Sequence, residues 1–260
     1  MKKFILSAIC ASLIFLPLSA ENLSSESAVE LLRKTDKATS FAGSDFSANY
    51  DIVQNKPGQG KTIRSAKMHR RDSIKAYTIL ITGPAQDKGK GYVQFNNSIW
   101  FYDPIDKQFV FTSAKDKFEG TNINNSDFMP QEFEKNYTII STETVKLGKL
   151  DCVKFNLKAK TKDTNYPEIK IWVTEKDGLL RKKEDYSLSG QLLRTTAIPS
   201  YQLFKEHSVP NKMLIIDNLR GIKIDDKLQF EKTQITITNV SFEKLKDTVY
   251  SKKYVEMMSE

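Results

Sequence analysis

From Phe46 to Asn239 the chain keeps returning to a period of two, and that alternation limits the fold more than any other feature. Phe46, Ala48, Tyr50 and Ile52 alternate with Ser47, Asn49, Asp51 and Val53, the pattern of a strand buried on one face and wet on the other. Further runs of this kind are expected at residues 61–71, 74–82, 91–96, 99–102 and 108–112. They resume at 137–144, 150–160, 168–174, 179–186, 191–197, 212–218 and 232–239. Residues 55–60, Gly83-Pro84, Asn96-Asn97, Asp103-Pro104, Asp177-Gly178 and Ser189-Gly190 supply turns between them, so antiparallel hairpins are the natural connections. The expected fold class is mainly β with a few helices (α+β). Fifteen Phe and ten Tyr spread over the strands predict a sheet with one broad apolar face. A sandwich and a curled, incompletely closed barrel both fit the pattern.

Two segments depart from the alternation at the ends. Ser24 or Ser25 can cap a helix with Glu26 in its first turn and Ala28, Leu31, Leu32 and Thr35 on one stripe, which must cover something apolar. A second helix is expected over residues 251–258. Between them, residues 115–136 break the strand rhythm with Gly120, a polar stretch from Asn122 to Ser126 and Phe128-Met129-Pro130. The pattern predicts a loop carrying a short helix that begins at Ser126 or Asp127, a candidate lid. No fixed-period repeat or low-complexity segment is present.

Met1 to Ala20 reads as an export signal: Lys2 and Lys3, an apolar run from Phe4 to Leu18, and the small residues Ser19 and Ala20 at its end. Cleavage after about Ala20 would leave one domain, residues 21–260. With Cys10 in the leader, Cys152 is the one remaining cysteine and is read as a small buried hydrophobe, so apolar burial and not a disulfide must hold the fold. The formal charge of +8 comes from both signs interspersed along the chain, a mildly basic surface and not a nucleic-acid footprint.

The residues offer no catalytic set. His69 and His207 lack partners at metal-ligand spacing, so no metal and no cofactor is expected. There is no nucleophile elbow or dinucleotide fingerprint, and Gly89-Lys90-Gly91 reads as a tight turn. The carboxylate pairs Glu184-Asp185 and Asp225-Asp226 are adjacent, so in strands their side chains would point to opposite faces. A binding protein is expected, not an enzyme.

The segment Asn96-Asn97-Ser98-Ile99-Trp100-Phe101-Tyr102-Asp103-Pro104 resembles the strand-and-turn signature of the LolA-type carriers of lipoproteins, and the order of the neighbouring elements agrees. Cys152 to Leu157 followed by Ile169 to Val173, and Arg181 to Arg194, are similar to the paired strands of the outer-membrane lipoprotein-sorting branch. The resemblance implies a half-open, strongly curved antiparallel sheet covered on its concave face by helices, with a cavity for acyl chains. It also implies a periplasmic carrier of acylated lipoprotein or lipid cargo. Its partners would be an inner-membrane ABC-type exporter and an outer-membrane acceptor, with transient membrane contact and no nucleic acid. The alternative on the same scaffold is an envelope regulator that senses lipids or mislocalised lipoproteins.

The family has a lid-tethering arginine on the strand after the first hairpin. Alignment through Tyr77 assigns it to Arg71, with Arg70 a close competitor. Trp100 and Tyr102 match the signature and are counted among the residues expected to line the lipid-binding cavity. Alternation then places Phe46, Tyr50 and Ile52, then Tyr77, Ile79 and Ile81, then Phe155 and Leu157, then Ile169, Ile171 and Val173 on cavity-facing sides of their strands.

Overall fold

A computed structural model describes residues 23–260; the expected leader and its cleavage point lie outside the described residues. Helix α1 (Ser25–Thr39) starts where the sequence places it, with the Ser24 hydroxyl accepting from the Ser27 N–H, and it buries Ala28, Leu31, Leu32 and Thr35. Six strands follow: β1 (Phe46–Lys56), β2 (Gly60–Arg71), β3 (Ala76–Gly83), β4 (Gly91–Phe95), β5 (Ser98–Asp103) and β6 (Gln108–Thr112). A long insert, residues 113–136, holds two 3-10 turns (Phe118–Gly120 and Asn125–Phe128) and the short helix α2 (Phe133–Asn136). Seven more strands complete the sheet: β7 (Tyr137–Leu147), β8 (Leu150–Ala159), β9 (Glu168–Thr174), β10 (Leu180–Tyr186), β11 (Leu192–Phe204), β12 (His207–Ile224) and β13 (Lys227–Ser241). A 3-10 turn (Asp247–Tyr250) leads into α3 (Lys252–Ser259), capped by Ser251.

All thirteen strands form one antiparallel sheet in the order β6-β5-β4-β3-β2-β1-β13-β12-β11-β10-β9-β8-β7. The chain starts in the middle, meanders to one edge, and returns from the opposite edge until β13 pairs with β1. The sheet is open, with β6 and β7 as its two edges. This topology decides where the insert runs, because the link from β6 to β7 must travel the whole width of the sheet.

The insert does so against the face that carries the larger apolar side chains, hereafter the inner face. Phe118, Ile123 and Phe128 are buried there among Tyr50, Ile52, Tyr77, Ile79, Ile81, Ile215 and Ile235. At the other half of the sheet the stripe of α1, with Phe133, packs with Val153, Phe155, Leu157, Ile169, Ile171 and Val173. Fully burying each large side chain contributes roughly 1.5–3 kcal/mol, so these two clusters are the main favourable element of the fold. Gly178, at φ +72°, lets α1 approach closely, since a Cβ there would stand 2.7 Å from Lys34 Cγ.

Helix α3 goes to the opposite, outer face. Val255 packs with Leu80, Val93 and Tyr102, and Gly91 is needed beneath it because a Cβ would meet Val255 Cγ1 at 2.6 Å. Strand β3 is therefore buried on both faces over residues 76–81.

The short helix expected from Ser126 is a 3-10 turn beginning at Asn125, boxed by the reciprocal Asn124 and Asp127 side chains. The last three strands exceed their expected spans. His207, expected in a loop, opens β12. Pro199 and Pro210 are tolerated because the β11–β12 register shifts between Ala197 and Tyr201.

Candidate functional site

A cavity of about 120 Å3 lies between the insert, the end of α1 and the middle of the inner face. Phe41, Phe46, Tyr50, Phe128, Met213 and Ile235 give it a mostly apolar wall, to which Arg70, Asp127 and Lys183 add charge. A polar pocket of about 200 Å3 adjoins it, bounded by the insert, the β8–β9 loop, Lys183 and Arg194; Asp127, Gln131 and Lys183 belong to both.

The insert is held over this space at several points. Arg70 on β2 donates from Nη1 to the Phe128 carbonyl at 3.2 Å and from Nη2 to the Thr39 carbonyl at 2.9 Å, so one guanidinium joins sheet, insert and the end of α1. Its Nε lies 2.8 Å from Asp72 Oδ1, and its plane sits over the Phe41 ring at 4.7 Å. From the other half of the sheet, Arg194 on β11 makes a two-pronged contact with Asp127, at 2.6 and 3.0 Å, and donates to Asp185 Oδ2 at 2.8 Å. Burial opposes the Arg194 charge, but Asp127 and Asp185 outweigh it and hold the guanidinium ionised. Burial likewise opposes ionisation of Asp127, and Arg194 more than offsets this, keeping the carboxyl below its usual range.

Helix α1 grips the end of the insert. Asp36 accepts from the backbone N–H groups of Phe133 and Glu134 at 2.8 and 2.9 Å, and Thr39 Oγ1 accepts from the Gln131 N–H at 2.9 Å. Burial pushes the Asp36 carboxyl up to about 6.

Of the residues singled out in the sequence, Phe46 and Tyr50 line the cavity itself. Ile52, Tyr77, Ile79 and Ile81 lie in the same core cluster, roofed by Phe118 and Phe128. Phe155, Leu157, Ile169, Ile171 and Val173 lie in the second cluster with α1. Trp100 and Tyr102 are on the outer face: Tyr102 packs with Val255, and Lys252 Nζ stands 3.3 Å from the centre of the Trp100 ring. Arg71, one residue from Arg70, also turns outward. It pairs with Asp45 at 2.6 Å and Asp247 at 2.6 Å and donates to the Leu245 carbonyl at 2.7 Å, holding the C-terminal segment.

Arg194, Lys183 and Asp185 escaped the sequence reading. Strand β10 carries charge on both faces, so alternation gave no hint of which side chains point inward. For Arg70 a signal existed, since Ala66 and Met68 set the inward parity of β2 and Arg70 continues it. Among the described residues no helix is long and apolar enough to cross a membrane, and no group of three or more His, Cys, Asp or Glu side chains could hold a metal ion.

An open antiparallel sheet, entered at its centre and crossed edge to edge by an insert that roofs an apolar cavity, is a LolA-like fold. A LolA superfamily protein from Nitrosomonas europaea shares it at 19% identity and a TM-score of 0.71, over 86% of this chain and 97% of that one. A putative outer membrane lipoprotein-sorting protein domain from Vibrio parahaemolyticus matches at 16% identity and 0.74, over 88% and 97%. A DUF1329 family protein from Desulfovibrio piger matches at 16% and 0.75, over 88% and 98%. Residues 73–257 match a family model described as "Uncharacterized protein", and the chain belongs to that family. No curated protein matches it in sequence.

Proposed function

We propose that this protein is a non-enzymatic periplasmic carrier. It takes acyl chains of lipoproteins or lipids into the space beneath the insert and carries them from an inner-membrane ABC-type exporter to an outer-membrane acceptor. The observation that carries this reading is the apolar cavity on the inner face, covered by a segment that is tied down by side chains and not by strand pairing. In this reading α1 and the insert are the covering layer of the concave face, and Arg70 is the tether.

Magnitudes favour exchange. A cavity of about 120 Å3 is near the size that admits one benzene, too small for a full acyl chain, so loading requires the insert to withdraw. Withdrawal uncovers Phe118, Ile123 and Phe128, at roughly 1.5–3 kcal/mol each, and about ten buried methylenes at ~0.8 kcal/mol apiece make up the loss. Cargo and insert thus compete for the same floor on nearly equal footing, which suits a carrier that must also let go. Ile52, Tyr77, Ile79 and Ile81 form that floor. Phe155, Leu157, Ile169, Ile171 and Val173 extend it beneath α1.

The test is recovery of the protein from its own envelope with lipid analysis by mass spectrometry, followed by titration of the stripped protein with a fluorescent acyl probe. Stoichiometric lipid and saturable probe binding are expected. A protein free of lipid that accepts no acyl chain would overturn the reading.

A further inference from the structure

Where the apolar cavity meets the polar pocket, the wall holds two cations and two carboxylates. Arg194 and Lys183 belong to the sheet, and so does Asp185; Asp127 alone belongs to the insert. Withdrawing the insert would therefore leave one net positive charge on a wall where Arg194, Lys183 and Asp185 are each at most 8% exposed while it is covered, and an apolar guest that covered the wall again would bury that charge unpaired. An uncompensated buried charge is strongly unfavourable, so whatever replaces the insert should bring an anion with it. The insert already has that composition. The Asp127 carboxylate takes the fork of Arg194 while the next side chain, Phe128, lies among Tyr50, Tyr77 and Phe118.

Two further donors point to a ligand head at this junction. The Thr196 hydroxyl lines the cavity, is buried, and has no hydrogen-bond partner. Lys183 lines both spaces, and its ammonium, with three protons to give, has one carboxylate contact, 3.1 Å to Asp185 Oδ1. A purely apolar guest would leave the Thr196 hydroxyl without a partner and the Lys183 ammonium with Asp185 alone.

Resting on the acyl-carrier reading, we infer that the cargo is an amphiphile with an anionic head, a carboxylate or a phosphate monoester. The head occupies the Arg194–Lys183–Thr196 junction in place of Asp127, and the chain occupies the apolar cavity in place of Phe128. The insert's Asp127-Phe128 pair is thus a resident stand-in for the cargo.

The experiment titrates the stripped, full-length mature protein with dodecanoate, monododecyl phosphate, 1-dodecanol and dodecyltrimethylammonium, each below its micelle concentration. At least one anion is expected to bind ten-fold or more tighter than dodecanol, and the stronger of the two identifies the head; the cation should gain nothing over dodecanol. Lys183→Met and Thr196→Val should each cut the anion-to-alcohol ratio at least three-fold, and Asp127→Asn should raise it, while Lys154→Met on the outer face should leave it unchanged. These variants spare Arg194, whose loss is the most dangerous to folding. Dodecanoate, dodecyl phosphate and dodecanol binding within two-fold of one another would overturn the inference and leave the carrier reading standing. If none of the four binds, both fall.

Discussion

Arg70 donates to the backbone carbonyl of Phe128 at 3.2 Å, reaching from the inner face of β2 to a residue 58 positions later in the chain. The same guanidinium holds Thr39 at the end of α1 and faces Asp72, so three elements meet on one side chain. Arg70→Met should release the insert and leave Asp72 without its charged partner, destabilising the protein by about 3–5 kcal/mol. Amide exchange over residues 122–131 should accelerate, and acyl-probe binding should tighten. Arg70→Lys should fall between, because an ammonium lacks the planar fork that serves two carbonyls at once. Unchanged exchange in the insert would remove Arg70 from the role of tether.

Phe128 makes a second, opposite pair of expectations. Its ring lies 4.9 Å from that of Phe118 and 6.1 Å from those of Tyr50 and Tyr77. Phe128→Ala should cost about 3–5 kcal/mol in denaturant unfolding through the cavity it leaves. The same cavity adds to the apolar space beneath the insert, so probe affinity should rise. A variant that is destabilised and binds more weakly would show that Phe128 supports the site and does not compete for it.

Asp36 makes closure of the insert weaken as pH rises. Its carboxyl titrates near 6 in the folded protein, above the value of an exposed Asp, because burial penalises the charge. The folded state therefore holds a proton that the unfolded chain has released between about pH 4 and 6. Stability from this group is full below that window and is lost as pH rises through it. The unfolding free energy of the wild type in urea titrations, less that of Asp36→Asn, should fall by up to about 2 kcal/mol from pH 4 to pH 7. A flat difference would mean that the carboxyl is not held in this environment.

His69 works in the reverse direction on the outer face. It is buried against Tyr254, neither ring nitrogen has a hydrogen-bond partner, and burial with the nearby Lys67 lowers its pKa to about 4. The unfolded chain binds the proton first, so its contribution is complete above about pH 6.5 and is lost as pH falls toward 4. Removing the group in His69→Phe should abolish about 2 kcal/mol of acid destabilisation at pH 5. Calorimetry of the two proteins at pH 7 and pH 5 measures it.

How far the sequence reveals this molecule depends on which residue is asked. Strand ends are legible where a positive-φ pair such as Asn96-Asn97 closes a hairpin, since alternation stops at a turn that few other residues could form. They are illegible in β12, where Pro210 and Gly221 read as breaks but the register shifts and the strand continues past them. The inward faces of β1, β3, β8 and β9 follow from parity, because each strand alternates apolar with polar or is apolar throughout. The insert announces itself only as a loss of rhythm. That Phe118 and Phe128 belong to the core, and that the insert crosses the sheet, follow from β6 and β7 being opposite edges, a long-range pairing that no local pattern encodes. The signature pair Trp100 and Tyr102 is legible as a strand. What covers its face is α3, which arrives from the far end of the chain.

Arg71 separates the two faces experimentally. It differs from Arg70 by one position, and on a strand one position reverses the facing, so its partners are Asp45, Asp247 and Leu245 rather than the insert. Asp45 is nearly inaccessible and also accepts from the Leu245 N–H at 2.6 Å, so losing the arginine strands a buried carboxylate and loosens the approach to α3. Arg71→Met should therefore destabilise the fold by about 3–5 kcal/mol and speed amide exchange over residues 245–258, with the insert's exchange and probe affinity unaltered. The Arg70 variant should show the converse pattern. If both substitutions opened the insert alike, the sheet would be transmitting strain between its faces, and the tether could not be assigned to a single side chain. Distinct exchange maps would assign the β2 tether of the insert to the inner-facing Arg70 and not to Arg71.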